Sequence, residues 1–169
     1  CCAGDTPASL AAEHGLYNRE ELSLVPKIAF TLSRGCGNPV RFADLQPGEV
    51  VVDFGCGAGI DVVLAAHKVG PTGKVVGVDM TPHMIERAKQ SVAEAHVAET
   101  TQFLLADLER VELPDGFTNV VISNCVINLC PDKEAVYREA FRVLKSSGRL
   151  AISDIVYGGE INPLVRKRF

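Results

Sequence analysis

From position 50 onward, apolar and polar residues fall into blocks whose period switches back and forth between strand and helix. Val50-Val51-Val52-Asp53-Phe54 is a short β-branched run that ends in glycines, which predicts a buried strand. Ile60, Val63, Leu64 and His67 then recur at helical spacing up to the turn Gly70-Pro71-Thr72-Gly73. Positions 74–79 predict a second strand. Pro82 suits the first turn of a helix capped by Thr81, and that helix is expected to reach position 98. Further strands are predicted over 102–106, 119–124 and 149–154, with a helix over 133–144 that Ser146-Ser147-Gly148 ends. Strands alternating with helices imply parallel βαβ units with right-handed crossovers, an α/β fold.

The first 45 residues differ. Positions 20–33 predict one amphipathic helix, interrupted or restarted at Pro26, and Arg34-Gly35-Cys36-Gly37-Asn38-Pro39 reads as a loop. The expected division is a helical cap with this loop over 1–42 and a core over 43–169, the cap lying over the core rather than forming a separate domain.

Composition narrows the class. The 169 residues are 47% hydrophobic and 22% charged, ordinary values for one packed domain. A net charge of −4 argues against nucleic acid as a partner. No apolar run approaches the ~20 residues needed to cross a bilayer, and no signal-peptide pattern opens the chain. The expected location is therefore cytoplasmic, with neither membrane nor nucleic acid as partner. The chain opens on Cys1 rather than Met and stops soon after the fifth predicted strand, so a trimmed chain is expected.

Cysteines stand at positions 1, 2, 36, 56, 125 and 130 without a CxxC pair, so neither a zinc ribbon nor a thioredoxin motif fits. A reducing compartment makes disulfides unexpected, and free, partly buried cysteines are the plain reading. His14, His67, His83 and His96 show no ligand spacing.

The loop Gly55-Cys56-Gly57-Ala58-Gly59 follows a strand and opens a helix, where backbone N–H groups and missing side chains let a ligand approach. Its pattern is GxGxG, and Ile60 breaks the dinucleotide fingerprint, so a methyl donor lacking a pyrophosphate fits better than a nicotinamide dinucleotide. Asp53, Asp79 and Asp107 end or follow successive strands, at the sheet edge where open α/β folds bind ligands. Asp79 suits a ribose, since a carboxylate can accept from both hydroxyls. Asp53 suits the cationic methionine end, and Asp107 an adenine amino group. Singly, each of these acids reads equally well as a turn residue or helix cap.

Val52 to Gly59, Gly77-Val78-Asp79-Met80, Ala106-Asp107-Leu108 and Arg142-Val143-Leu144-Lys145-Ser146-Ser147-Gly148 resemble the successive motifs of class I S-adenosylmethionine-dependent methyltransferases. The resemblance covers residues 43–155 and implies a Rossmann-like sheet, with strands one to five present and the family's last two absent. It implies S-adenosylmethionine as cofactor, held by Asp53, Gly55, Gly57, Gly59, Asp79, Met80, Asp107, Leu108 and Asn124.

Two more specific stretches, Tyr17-Asn18-Arg19-Glu20-Glu21-Leu22 through Gly35-Cys36-Gly37-Asn38-Pro39, and Ile122-Ser123-Asn124-Cys125-Val126-Ile127-Asn128-Leu129-Cys130-Pro131, resemble arsenite methyltransferases. That resemblance implies that Cys36 and Cys125 bind arsenic and act in catalysis, on arsenite or its thiol conjugate. Trivalent arsenic is soft and favours thiolates, and its lone pair can attack a methyl group without a general base. A third arsenic-ligating cysteine of that family lies beyond the fifth strand, so donor binding without efficient arsenic methylation is the expectation for these residues. Cys1 and Cys2 form a further candidate pair. A methyltransferase for a small organic acceptor, or a donor-binding fold without catalysis, are the competing readings.

Overall fold

The computed structural model describes residues 16–156. Its framework is one parallel sheet of five strands: β1 (Val50–Phe54), β2 (Lys74–Asp79), β3 (Thr101–Leu105), β4 (Thr118–Asn124) and β5 (Leu144–Ser153), in the order β3-β2-β1-β4-β5. Every pairing is parallel. β1 occupies the centre because Val51, Val52 and Phe54 are apolar on both faces and fully buried, as a strand covered by helices on both sides requires. The order reverses beside β1, where β2 leaves to one side and β4 to the other, and that crevice lies at the carboxyl ends of the strands.

Among the described residues six α-helices accompany the sheet: α1 (Arg19–Leu24), α2 (Lys27–Leu32), α3 (Pro39–Phe42), α4 (Ile60–Val69), α5 (Pro82–Glu94) and α6 (Lys133–Val143). One side of the sheet carries α4 and α5 with the N-terminal helices. There Val51, Val75, Val120 and Ile122 pack with Val62, Val63 and Val69, and with Tyr17, Ala29, Phe30 and Val40. The other side carries α6, where Val136, Ala140 and Val143 cover Val52, Val76, Val78 and Val121. The N-terminal helices thus share a continuous core with α4.

At Pro26 the helix restarts as expected, and two other local features depart from the sequence expectation. Pro26 divides the 20–33 segment into two short helices, standing at the N-cap of α2, since its ring cannot sit inside a helix without removing a hydrogen bond. Thr81 does stand at the N-cap of α5, yet its side chain makes no capping bond. Instead its backbone N–H donates to Asp79 Oδ1 at 2.8 Å. The last strand begins at Leu144, immediately after α6, where a loop was expected. A bulge makes this possible: Leu144 pairs with Thr118 and Arg149 with Val120, so five positions on β5 face two on β4. Arg149 then ties β5 to the chain preceding β1, bonding both oxygens of Glu49 at 2.7 Å. Among the described residues β5 is an edge strand. No described helix is long and apolar enough to cross a membrane.

Candidate functional site

A cavity of about 430 Å³ opens at the carboxyl ends of β1, β2 and β4. Its floor is the loop between β1 and α4, which bends through positive φ at Gly55, Gly57 and Gly59. Gly55 N and Cys56 N both donate to Val78 O, at 2.8 and 2.9 Å, so the loop is pinned to β2. At Gly57, with φ +51, a Cβ would meet nothing within 4 Å. The backbone there faces open space. Cys56 is buried in the loop, and that burial pushes its thiol well above the ordinary value, with Asp53 and Asp79 adding to the effect.

The acids surround this floor in unequal ways. Asp79 ends β2 and lines the cavity. Its Oδ2 accepts from Gly57 N at 2.9 Å and its Oδ1 from Thr81 N at 2.8 Å. Those bonds orient the carboxylate and leave a lone pair on each oxygen. Asp107 also lines the cavity, with Oδ1 taken by Glu109 N at 2.9 Å in a tight turn. Met80 and Leu108 contribute apolar wall beside them.

Asp53 behaves differently. It is buried in β1, does not reach the cavity wall, and its Oδ2 has no hydrogen-bond partner. Desolvation first, then Asp61 and Asp79, hold its carboxyl well above the usual carboxylate range. A further acid that does reach the cavity is Asp61, in the first turn of α4. Sequence reasoning passed over it. An acid between Ile60 and Val62, at the head of an apolar run that reaches Ala66, was the available signal. Burial pushes Asp61 up to about 6, although Asn124 and Tyr17 both donate to it. Tyr17 Oη reaches Oδ1 at 3.1 Å and Asn124 Nδ2 reaches Oδ2 at 2.9 Å.

Asn124 is the clasp of the site. It ends β4, and its Nδ2 donates to Gly37 O at 2.8 Å as well as to Asp61. Its Oδ1 accepts from Cys36 N at 3.0 Å and from Gly37 N at 3.2 Å. The loop after α2 is thereby stitched to the tip of the sheet. The approach is close: a Cβ on Gly37 would overlap Ser153 Oγ. Gly35, Asn124 and Cys125 all line the cavity.

This clasp brings Cys36 against Cys125, 89 positions later, with Cα atoms 5.8 Å apart and the two sulfurs joined in a disulfide. The expectation that the cysteines stay free is thus overturned for this pair. The clasp brings the two Cα atoms within the range a bridge spans. Cys125 holds a positive φ of 57°, rare for a residue with a side chain, and its N–H donates to Ser153 O at 2.8 Å. Such a conformation persists only where the surroundings impose it, and it concentrates at functional sites. Cys130 lines the cavity as a free thiol. Cys1 and Cys2 lie outside the described residues, as does His14.

The match to known sequences follows this geometry. The methyltransferase domain model aligns with residues 45–168, from the approach to β1 past the end of β5. The chain belongs to this methyltransferase family. Its relatives include an arsenite methyltransferase of Halobacterium salinarum, 47% identical over 92% of this chain and 39% of the relative. Another is an arsenite methyltransferase of Mus musculus, 35% identical over 86% of this chain and 40% of the relative. The crystal structure of an arsenic(III) S-adenosylmethionine methyltransferase from Chlamydomonas reinhardtii superposes with a TM-score of 0.81 at 36% identity, covering 97% of this chain and 54% of that one. This methyltransferase chain therefore spans about two fifths of the length of the curated relatives. The five-stranded parallel sheet is the Rossmann-like class I architecture that the motifs implied.

Of the residues expected to hold the cofactor, Gly55, Gly57, Asp79, Met80, Asp107, Leu108 and Asn124 line the one cavity. Gly59 stands at the N-cap of α4 and Asp53 behind the loop, neither on the cavity wall. The residues present suit a nucleoside that carries positive charge. Open backbone at Gly57, an oriented carboxylate at Asp79 and a further acid at Asp61 converge on one apolar-walled space.

Proposed function

We propose that this chain is the donor-binding and thiol-bearing part of an arsenite methyltransferase, using S-adenosylmethionine as methyl donor. The observation that carries the reading is the pairing of Cys36 with Cys125 beside the cavity that holds Asp79 and the glycine loop. Similarity to enzymes named for arsenite supports it.

When bound, S-adenosylmethionine supplies a methyl group made electrophilic by its sulfonium. The chain's own residues do the rest. Asp79 accepts from the ribose hydroxyls, and the loop at Gly55, Gly57 and Gly59 admits the methionine portion. Asp107 and Leu108 border the adenine, with Asp107 Oδ2 left free to accept. Asp61 contributes the carboxylate at the cationic end in the place first assigned to Asp53, because of the two it is Asp61 that lies on the cavity wall. Asp53 acts through the loop's packing.

The substrate side requires the reduced pair. Two cellular thiols open the bridge between Cys36 and Cys125, giving it two electrons and two protons and becoming a disulfide themselves. Trivalent arsenic then exchanges two hydroxyls for the two sulfurs, releasing two waters and keeping its lone pair. No side chain has to remove a proton from arsenic. Holding the substrate on Cys125, at the cavity wall, supplies positioning, which is worth several kcal/mol in a bimolecular transfer (roughly 7–11 at best).

Calorimetry on the thiol-reduced chain tests both halves. Arsenite is expected to bind with a stoichiometry that falls by one in Cys36→Ser and in Cys125→Ser, while S-adenosylmethionine binding persists in both. Unchanged arsenite binding in either variant contradicts the substrate assignment. A wild-type chain that fails to bind S-adenosylmethionine contradicts the cofactor assignment.

A further inference from the structure

The arsenic reading uses two sulfurs, yet a third ligand atom stands with them. A carboxylate oxygen of Asp154 lies within 4.8 Å of both Cys36 Sγ and Cys125 Sγ, and all three residues are half-buried. No other trio of histidine, cysteine or carboxylate atoms meets this closeness among the described residues. We propose that the reduced form of this cluster is a binding site for a thiophilic divalent cation of the zinc or cadmium kind, with Cys36, Cys125 and Asp154 as ligands.

The third donor decides the chemistry. A thiolate pair alone suits any soft ion, but a carboxylate oxygen is an ordinary ligand for zinc, at ~2.0–2.2 Å, alongside sulfur at ~2.3 Å. Around a tetrahedral ion those bond lengths place neighbouring ligand atoms about 3.5–3.8 Å apart, inside the 4.8 Å that encloses the trio. The sulfurs need only part from bonding distance once reduced.

The ligands are also held in place by their own neighbours, as metal ligands are. Asp154 Oδ2 accepts from Asn128 N at 2.9 Å and Oδ1 from Ile155 N at 2.8 Å. Cys36 N is fixed by Asn124 Oδ1 at 3.0 Å, and Cys125 N by Ser153 O at 2.8 Å. Three protein ligands leave one coordination position free, the pattern of an exchangeable rather than a closed structural site. Binding is gated by redox state. A phosphine reductant breaks the S–S bond and becomes the phosphine oxide with oxygen from water, whose two protons pass to the two sulfurs. The cation then displaces those protons as two metal–sulfur bonds form. The inference rests on the cluster alone and does not depend on arsenic being the substrate.

Cadmium binding to the full chain tests it, in excess phosphine without oxygen. The reduced chain is expected to show a thiolate-to-cadmium charge-transfer band for this site that the oxidised chain lacks. The double variant Cys36→Ser/Cys125→Ser is expected to bind one cadmium fewer than wild type, whatever Cys1 and Cys2 take up. Asp154→Asn is expected to weaken the site at least ~10-fold. Cadmium NMR of the wild type, which needs no variant to fold, should report an environment of two sulfurs with oxygen. A double cysteine variant that keeps the full stoichiometry, an Asp154→Asn chain that binds as tightly as wild type, or an NMR environment lacking either sulfur or oxygen, each overturns the proposal.

Discussion

The donor side and the thiol side of the site are built in opposite ways. The glycine loop, Asp79 and the tip of β1 come from one stretch of chain, joined by the pairing of the two central strands. The thiol side draws on Cys36, Cys125 and Ser153, and three of the hydrogen bonds that dock its loop on the sheet pass through Asn124, across 87 or 88 positions. A surface made by adjacent strands inherits the rigidity of the sheet. One made by docking a loop depends on a few side chains and can be undone at less cost to the other.

Removing the clasp should therefore give the largest effect. Asn124→Ala strips partners from Cys36 N, Gly37 N, Gly37 O and the buried Asp61 together. Leaving buried polar groups unpaired costs about 3 kcal/mol here, which urea denaturation would read as a lowered midpoint. Mass-spectrometric mapping should also find the Cys36–Cys125 bridge largely lost, while donor binding weakens far less.

The reciprocal change comes next. Asp79→Ala removes an acceptor from the cavity wall but touches none of the bonds at Asn124. Calorimetry should show S-adenosylmethionine affinity lowered roughly 10- to 100-fold, the range for losing hydrogen bonds to a charged group, with the bridge intact. Equal damage to both sides from either variant would erase the distinction between them.

Tyr17→Phe is milder. It deletes one bond to Asp61 and one weak contact to Asn124 but keeps the ring packed edge-on against Phe30, at 6.4 Å. A loss of about 1 kcal/mol in unfolding free energy is expected.

The remaining effect is a slope with pH. Asp61 folds with its pKa raised from 3.8 to about 6. Between those values the folded chain holds a proton that the unfolded chain has released, so stability falls as pH rises. Asp53 acts in the same direction. Glu49 and Glu139, held below the ordinary value by Arg149 and Arg142, lose their contribution only as pH falls below about 4.5. His67, lowered by burial, raises stability with pH nearer neutrality. Asp61→Asn should flatten the decline between pH 4 and 6 seen in thermal melts, and an unchanged slope would show that Asp61 is not the source.

The same contrast explains what the sequence could reveal. Val50 to Phe54, the three glycines and Asp79 are neighbours along the chain or one βαβ unit apart, so pattern and spacing were enough to place them. Asp61, Tyr17 and Asn124 form a network only because the N-terminal helices dock on α4, and no local period encodes that docking. Asp53 illustrates the limit from the other side. Its place at the strand end suggested a ligand contact, but strand alternation turned it into the interior, where it is buried without a partner for one oxygen. The Cys36–Cys125 bridge escaped because compartment was weighed where distance decides. The early start of β5 escaped because a bulge absorbs the polar residues Ser146 and Ser147 that resemble a loop.

The most direct measurement is site-resolved alkylation of the thiol-reduced chain, with and without arsenite, read by mass spectrometry. Protection of Cys36 and Cys125 together, to the same extent and at the same arsenite concentration, is the predicted result. If one of the two sulfurs is labelled at the same rate in the presence of arsenite as in its absence, the pair is not a shared arsenic site beside the donor cavity.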